Sequence, residues 1–320
     1  MNDQRMSGRL TGVVAAALWL AVWLLQPAYA DVLAVNGQKR TYTLVKPSGN
    51  NPLPLVIALH GNTQQGADLM ERSTWPELAR QQGFAVVFPD GLNRSWADGR
   101  YPAERAGAVP PEGTDDRAFL LTLTDQLILR GVVDPRRVYL VGVSNGGAMA
   151  LTLACSDPQR FAAVASVIML MTQGLSETCA NRQPSPPLPI LFMNGTDDPL
   201  VSFAGGQGRA RHAVRGVWSF DQTLDFWRRF NACQEGDARL VQLPNKDAQD
   251  GSTVSRIESN CPKGTDVLAY RVNGGGHRMP GRSPDARFPK LVDKALGPQN
   301  HDIDGPEEIW AFFQRFSLVR

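Results

Sequence analysis

Five consecutive residues, Gly142-Val143-Ser144-Asn145-Gly146, set a hydroxyl between two glycines. An apolar run that reads as a strand, Arg137 to Val141, precedes them, and a Gly/Ala-rich run that reads as a helix, Asn145 to Cys155, follows. A strand-to-helix turn this tight has no room for side chains two residues before or after its centre. Ser144 then stands exposed at the tip with a backbone N–H beside it. The bland use of such a serine is to cap the helix. The reactive use is acyl transfer, and for that a hydroxyl is too weak a nucleophile near neutral pH without a base held in place by an acid.

Four histidines are candidates for the base. His301 lies among loop acids and reads as solvated. His212, in Arg209-Ala210-Arg211-His212, reads as surface or a flap. His60 closes an apolar strand before Gly61-Asn62 and reads as a buried structural ring. His277 follows the strand-like run VLAYRVN and Gly274-Gly275-Gly276, which deliver an imidazole on a loop at the strand's end. It is the expected base. The acid is expected where the run ILFMN ends in Gly195-Thr196-Asp197-Asp198-Pro199, since sheets of this kind present functional groups at strand ends. Asp197 and Asp198 are adjacent, so their side chains diverge and one alone can meet His277.

Acyl transfer also needs donors for the oxyanion, and two backbone N–H groups suffice. Asn145, the residue after the nucleophile, offers one, and Asn62, in the loop after LVIAL, offers the other. As main-chain donors, both are expected to have weakly constrained side chains. No phosphate-cradling loop, G-x-G-x-x-G or H-E-x-x-H sequence occurs, so no metal and no nucleotide cofactor is expected.

The elements that must position these residues alternate strand and helix, an α/β pattern. Arg40 to Val45 reads as a strand, Lys46 to Pro54 as a hairpin connection, Leu55 to Leu59 as a strand and Gln65 to Gln81 as one helix. Phe84 to Phe88 reads as a strand, residues 91 to 113 as loop and Arg117 to Leu129 as a helix. Ala163 to Ile168 and Ile190 to Met193 read as strands, the second after a Pro-rich connector, Pro184 to Pro189. Ser219 to Phe230 reads as a helix, Val267 to Val272 as the last strand and Pro306 to Phe316 as a closing helix. Runs apolar on consecutive residues, such as LVIAL and VYLVGV, suit strands covered on both faces, hence a mostly parallel central sheet with helices on both sides.

The chain has 320 residues, 42% of them hydrophobic and 20% charged, with a formal charge of +2. That composition is globular, and the absence of any Lys/Arg-rich run argues against nucleic acid as a partner. Residues 1–30 carry Arg5 and Arg9, then the apolar run Gly12 to Leu25, then Ala28-Tyr29-Ala30, the parts of a secretory signal peptide. Cleavage near Ala30 is expected, leaving a single catalytic domain, 31–320, that is secreted or periplasmic and not inserted in a membrane. A retained anchor is the alternative. Export gives Cys155, Cys179, Cys233 and Cys261 an oxidising compartment, where disulfides are the default. Three connectivities are open, and the short-loop one, Cys155–Cys179 with Cys233–Cys261, is expected. A zinc site, the rival, is disfavoured because no two of these cysteines lie close in sequence.

With these residues assembled, the chain resembles the secreted polyhydroxybutyrate depolymerase and feruloyl esterase group of α/β hydrolases. LPLVIALHG resembles the strand and loop that supply that group's oxyanion donor. GVSNGGAMALTLACSDPQRFAAVASV is similar to its elbow, helix and next strand, and NGTDDPLV to its acid motif, which assigns the acid to Asp198. GGQG, SFDQTLDFWRRFNAC, GGGHRMPG and IWAFFQRF resemble later segments in the same order. Two positions depart: Met279 stands where the group commonly has an aromatic, and Asn62 where it often has Cys. The resemblance implies an α/β-hydrolase fold and a cofactor-free serine esterase with Ser144, His277 and Asp198 as its triad. The expected substrate is a small or oligomeric ester, with soluble hydroxyalkanoate oligomers favoured because the residues after Ala30 leave no room for an added polymer-binding domain. Feruloyl or acetyl-xylan esters are the alternative, for which Trp96, Tyr101 and Trp218 are candidate cleft walls. A peptidase or a non-catalytic binding scaffold is less favoured, since all three triad residues are present.

Overall fold

The computed structural model describes residues 30–100, 102–105, 107–180, 186–210, 213–234, 236, 238–282 and 289–319. The expected signal segment before Ala30, Tyr101, the first residues of the Pro-rich connector and His212 lie outside the described residues.

Ten strands form one sheet: β1 (Asp31–Val35), β2 (Gln38–Val45), β3 (Leu53–Leu59), β4 (Ala85–Pro89), β5 (Val133–Val143), β6 (Ala163–Val167), β7 (Ile190–Gly195), β8 (Arg239–Gln242), β9 (Thr253–Glu258) and β10 (Val267–Asn273). Their order is β1-β2-β4-β3-β5-β6-β7-β10-β9-β8. The six central strands, β4 through β10 in that order, run parallel. Antiparallel strands close both ends. This is the expected α/β-hydrolase architecture, a mostly parallel sheet with helices on both sides.

Both faces of the central strands are covered because consecutive residues along their middles are apolar. In β3, Leu55, Ile57 and Leu59 join one buried cluster, while Val56 and Ala58 join the other. The first cluster is completed by α3 (Asp116–Leu129), α4 (Asn145–Ser156) and α6 (Phe220–Phe230). The second is completed by α1 (Gly66–Glu71), α2 (Trp75–Gln82) and α8 (Gly305–Phe313). Trp310 of α8 stacks on Phe84 at 4.0 Å, and Phe313 stacks on Tyr139 at 5.1 Å. Burying each such side chain contributes roughly 1.5–3 kcal/mol.

Two expectations for local structure are corrected. Lys46 to Pro54 does not close a hairpin: β2 pairs with β4, so the connection crosses over to reach β3. Gln65 to Gln81 is two helices, because the chain turns at Arg72–Thr74 and restarts with Pro76 in the first turn of α2. Proline lacks the N–H that a continuous helix would need there. Beyond the expected elements the chain forms β1, β8, β9, α5 (Gln173–Ala180) and α7 (Pro289–Leu296).

Disulfides join Cys155 to Cys179 and Cys233 to Cys261. The first ties the end of α4 to α5. Among the described residues no helix is long and apolar enough to cross a membrane.

Candidate active site

Parallel neighbours end on the same edge of a sheet, so β3, β5, β7 and β10 deliver Asn62, Ser144, Asp198 and His277 to one place. Ser144 sits between β5 and α4 with φ 56° and ψ −115°. A non-glycine residue in that region costs about 1–3 kcal/mol and persists only where its surroundings impose it. Here they do. A Cβ on Gly142 would lie 1.9 Å from the Gly146 carbonyl oxygen, and one on Gly146 would lie 2.5 Å from the oxygens of Leu59 and His60. The Ser144 N–H donates to Val167 O at 2.9 Å, which fixes the elbow to β6.

From Ser144 a line of hydrogen bonds runs inward. Ser144 Oγ is 2.8 Å from His277 Nε2, and His277 Nδ1 is 2.7 Å from Asp198 Oδ2. The other carboxylate oxygen, Asp198 Oδ1, accepts the N–H groups of Leu200 at 2.7 Å and Val201 at 2.8 Å. Three donors converge on this one buried carboxylate, which fixes its plane and leaves neither oxygen without a partner. Asp197 is exposed, and its N–H donates to Gly275 O at 2.9 Å. The acid turn and the histidine loop pack backbone to backbone: a Cβ on Gly195 would lie 2.2 Å from Gly275 O, and one on Gly276 would lie 2.1 Å from Leu296 O. The Leu296 carbonyl also accepts the His277 N–H, so the end of α7 holds the imidazole in position. No sequence signal pointed to α7.

His60 is fully buried, its Nε2 accepting the Gly91 N–H at 2.9 Å while Nδ1 lies 2.7 Å from Gly61 O. An Nε2 that accepts and an Nδ1 that donates describe a neutral ring, and burial holds His60 below the usual histidine range. His301 is exposed beside Asp247 and Asp250. These three bring one ligand atom each within 4.8 Å of one another, but Asp250 is already engaged by Ser252 and the His301 N–H.

The side chains of Asn62 and Asn145 are not weakly constrained. Asn62 pairs with the backbone of Ala108 in both directions, at 2.8 and 2.7 Å, and its Nδ2 donates to Ser95 Oγ at 2.9 Å. Asn145 Oδ1 accepts the Trp96 N–H at 2.8 Å, and its Nδ2 donates to Asp98 at 2.5 Å. Amide side chains satisfy buried backbone groups that a shorter residue would strand. Asp98 in turn holds the buried Arg100 guanidinium.

A cavity of about 1040 Å³ opens at Ser144 and His277. Asn62, Arg100, Ile168, Leu200, Met279 and Gln299 are among its walls. Trp96 does not line it: the ring is fully buried and donates to His60 O at 2.9 Å. Trp218 packs edge-on against Phe226 instead. Among the described lining residues none is Trp, Tyr or Phe. Among the described residues, two of those lining it each keep a buried polar atom with no protein partner, the donor Arg100 Nη1 and the acceptor Gln299 Oε1.

A family model described as "Esterase PHB depolymerase" matches residues 40–178. "Putative esterase NocK" of Nocardia uniformis subsp. tsuyamanensis is 29% identical over 264 residues, 79% of this chain and 74% of that protein. "Feruloyl esterase D" of Neurospora crassa is 28% identical over 301 residues, covering 88% and 84%. Among solved structures, an acetyl xylan esterase from Aspergillus awamori superposes with a TM-score of 0.54 at 15% identity, covering 83% of this chain and 98% of its own, a likeness of fold.

Proposed function

On the premise that the chain is a carboxylic-ester hydrolase of the polyhydroxybutyrate depolymerase/feruloyl esterase-like family of α/β hydrolases, we propose that Ser144, His277 and Asp198 are its catalytic triad. The continuous contact from Asp198 through His277 to Ser144 Oγ carries this reading. Ser144 Oγ attacks the ester carbonyl as its proton passes to His277 Nε2. The imidazolium, held by Asp198, returns that proton to the departing alkoxide, which leaves as the alcohol. Water then attacks the acyl-enzyme, its proton passing to Nε2, and Ser144 leaves with that proton as the acid is released. The N–H groups of Asn62 and Asn145 are assigned to the oxyanion.

The favoured substrate is an aliphatic hydroxyacyl ester, a soluble hydroxyalkanoate oligomer or a small analogue. Such a chain offers ester carbonyls to Arg100 Nη1 and a terminal hydroxyl to Gln299 Oε1, and the aliphatic lining suits its short side groups. Feruloyl or acetyl-xylan esters are the second reading, favoured by the names of the relatives. Two disulfides fit an oxidising compartment, which supports export, and the small residues Ala28-Tyr29-Ala30 are the proposed cleavage site. N-terminal sequencing of exported protein tests that site.

The deciding experiment is turnover of purified enzyme on a short nitrophenyl ester, a hydroxybutyrate oligomer, methyl ferulate and an acetylated xylo-oligosaccharide, with Ser144→Ala alongside. Hydrolysis that disappears in Ser144→Ala is expected, with the hydroxybutyrate oligomer preferred. Activity surviving in Ser144→Ala refutes the nucleophile, and preference for methyl ferulate refutes the substrate.

A further inference from the structure

The Ser95 hydroxyl lies between the two residues assigned to the oxyanion. It accepts from Asn62 Nδ2 at 2.9 Å, and its single proton is shared between Asn145 Oδ1 at 3.2 Å and Ala108 O at 2.9 Å. Asn62 follows β3 and Asn145 opens α4, 83 residues apart in sequence, and although β3 and β5 pair behind them, among the described residues Ser95 alone is hydrogen-bonded through its side chain to the side chains of both. We propose that Ser95 is a positioning residue that sets the spacing of the two oxyanion N–H groups by tying the side chains of Asn62 and Asn145 together. This rests on the assignment of those N–H groups above.

The turn that carries Ser95 is itself fixed. His60 accepts the Gly91 N–H through Nε2 at its start, and the His60 carbonyl accepts the Trp96 indole N–H at its end. Thr63 donates its N–H to Arg94 O at 2.8 Å, a second bond between this turn and the loop that bears Asn62. Asn93 and Arg94 both take left-handed φ, 51° and 59°, and a Cβ on Gly91 would lie 2.4 Å from Ser95 O. Ser95 is therefore presented by a braced segment and is 2% exposed. A hydroxyl in that position acts as a spacer. It sets where Asn62 and Asn145 sit relative to each other without touching substrate.

An oxyanion donor removed outright costs roughly 100- to 1000-fold in rate, and a displaced one costs part of that. Asn62 keeps Ala108 and Asn145 keeps Trp96 when Ser95 is removed, so Ser95→Ala is expected to lower kcat about 10-fold with KM within about two-fold. The affinity for an alkyl boronic acid, whose boron accepts the Ser144 oxygen and becomes tetrahedral, is expected to fall by a similar factor. Binding of the free product acid should not change. Asn62→Ala, which removes that side chain's bonds to Ser95 and Ala108 alike, is expected to lower kcat, and Ser95→Ala added to it should cost no further rate. A wild-type kcat in folded Ser95→Ala overturns the proposal, as do losses that multiply in the double variant. A loss in thermal stability with unchanged boronate affinity also overturns it, because it makes Ser95 merely structural. Should Ser95→Ala fail to fold, Asn62→Ala alone decides: unchanged kcat and boronate affinity there refute the tie. Ser144→Ala separates the two levels, since its activity tests the triad while the Ser95 variants test only the spacing.

Discussion

Exchanging Asp198 for asparagine changes one atom and is expected to stop turnover. Oδ1 accepts two backbone N–H groups, from Leu200 and Val201, and Oδ2 meets His277 Nδ1. An asparagine must keep its carbonyl oxygen toward the two N–H donors, because the flipped amide would set its NH₂ against both. The NH₂ then faces His277 Nδ1. Two donors cannot share that contact, so the ring moves its proton to Nε2 and presents a lone pair at Nδ1. Nε2–H now points at Ser144 Oγ, 2.8 Å away, and has no lone pair to take the serine's proton. A wrong tautomer in a relay of this kind costs about 10⁴-fold in kcat, or roughly 5.4 kcal/mol of barrier. The fold keeps its hydrogen bonds, so the urea midpoint should hold, and the cavity is unaltered, so KM should hold too. Steady-state hydrolysis of a nitrophenyl ester near pH 8 supplies the assay, with Asp197→Asn as the control expected to stay within about two-fold, since that side chain is exposed. More than a tenth of wild-type kcat in folded Asp198→Asn would refute the reasoning.

Burial holds His60 below its ordinary pKa, so the unfolded chain binds this proton more readily than the folded one. Stability should therefore fall as the pH drops below about 6.5, the ordinary imidazole value, by at most about 1.4 kcal/mol per unit from this group. Urea titrations from pH 5 to 8 measure it, and His60→Gln, which cannot titrate, should have a shallower slope. Arg40 and Asp116 are both buried, 2.5 Å apart, with Arg40 also over the Phe119 ring at 4.0 Å. Arg40→Met strands the carboxylate and is expected to cost about 3–5 kcal/mol by urea denaturation. A cost under 1 kcal/mol would mean the pair carries no such weight. Gly146→Ala forces a Cβ to 2.5 Å from two carbonyl oxygens. Labelling by a fluorophosphonate should drop at least 100-fold, and wild-type labelling would show that the elbow tolerates the methyl.

What the sequence revealed was what can be written in a few adjacent residues. Glycines two either side of Ser144, a glycine run before His277 and a carboxylate pair after a strand are local demands, so their chemistry is visible without a fold. The strands β8 and β9 were passed over because an edge strand such as Arg239–Gln242, mostly exposed, has no apolar alternation to distinguish it from loop. The pairing of β2 with β4 depends on contacts between distant segments, so Lys46 to Pro54 read as a hairpin it does not make. Pro76 did mark the break between α1 and α2, but the apolar spacing across it read as continuous. The ties made by Asn62, Ser95, Asn145 and Asp98 were invisible for another reason. Each is a polar residue with several possible partners, and only the crossing of the 95–108 segment over the strand ends selects among them.

The direction of the first strand has a practical corollary. β1 is antiparallel to β2, and β2 to β4, and the registers set Asp31 opposite Tyr42 and Tyr42 opposite Pro89, so Asp31 lies level with the C-terminal ends of the parallel strands, the edge that carries Ser144. Whatever is attached before Asp31, whether an affinity tag, a surface linker or a tether to a bead, therefore starts level with the strand ends that hold the site, four strands across the sheet from β5. An enzyme immobilised by its other end, where the Leu318 N–H donates to Arg136 O near the start of β5, should keep its mouth toward the solution, with access of bulky esters unimpeded by the support.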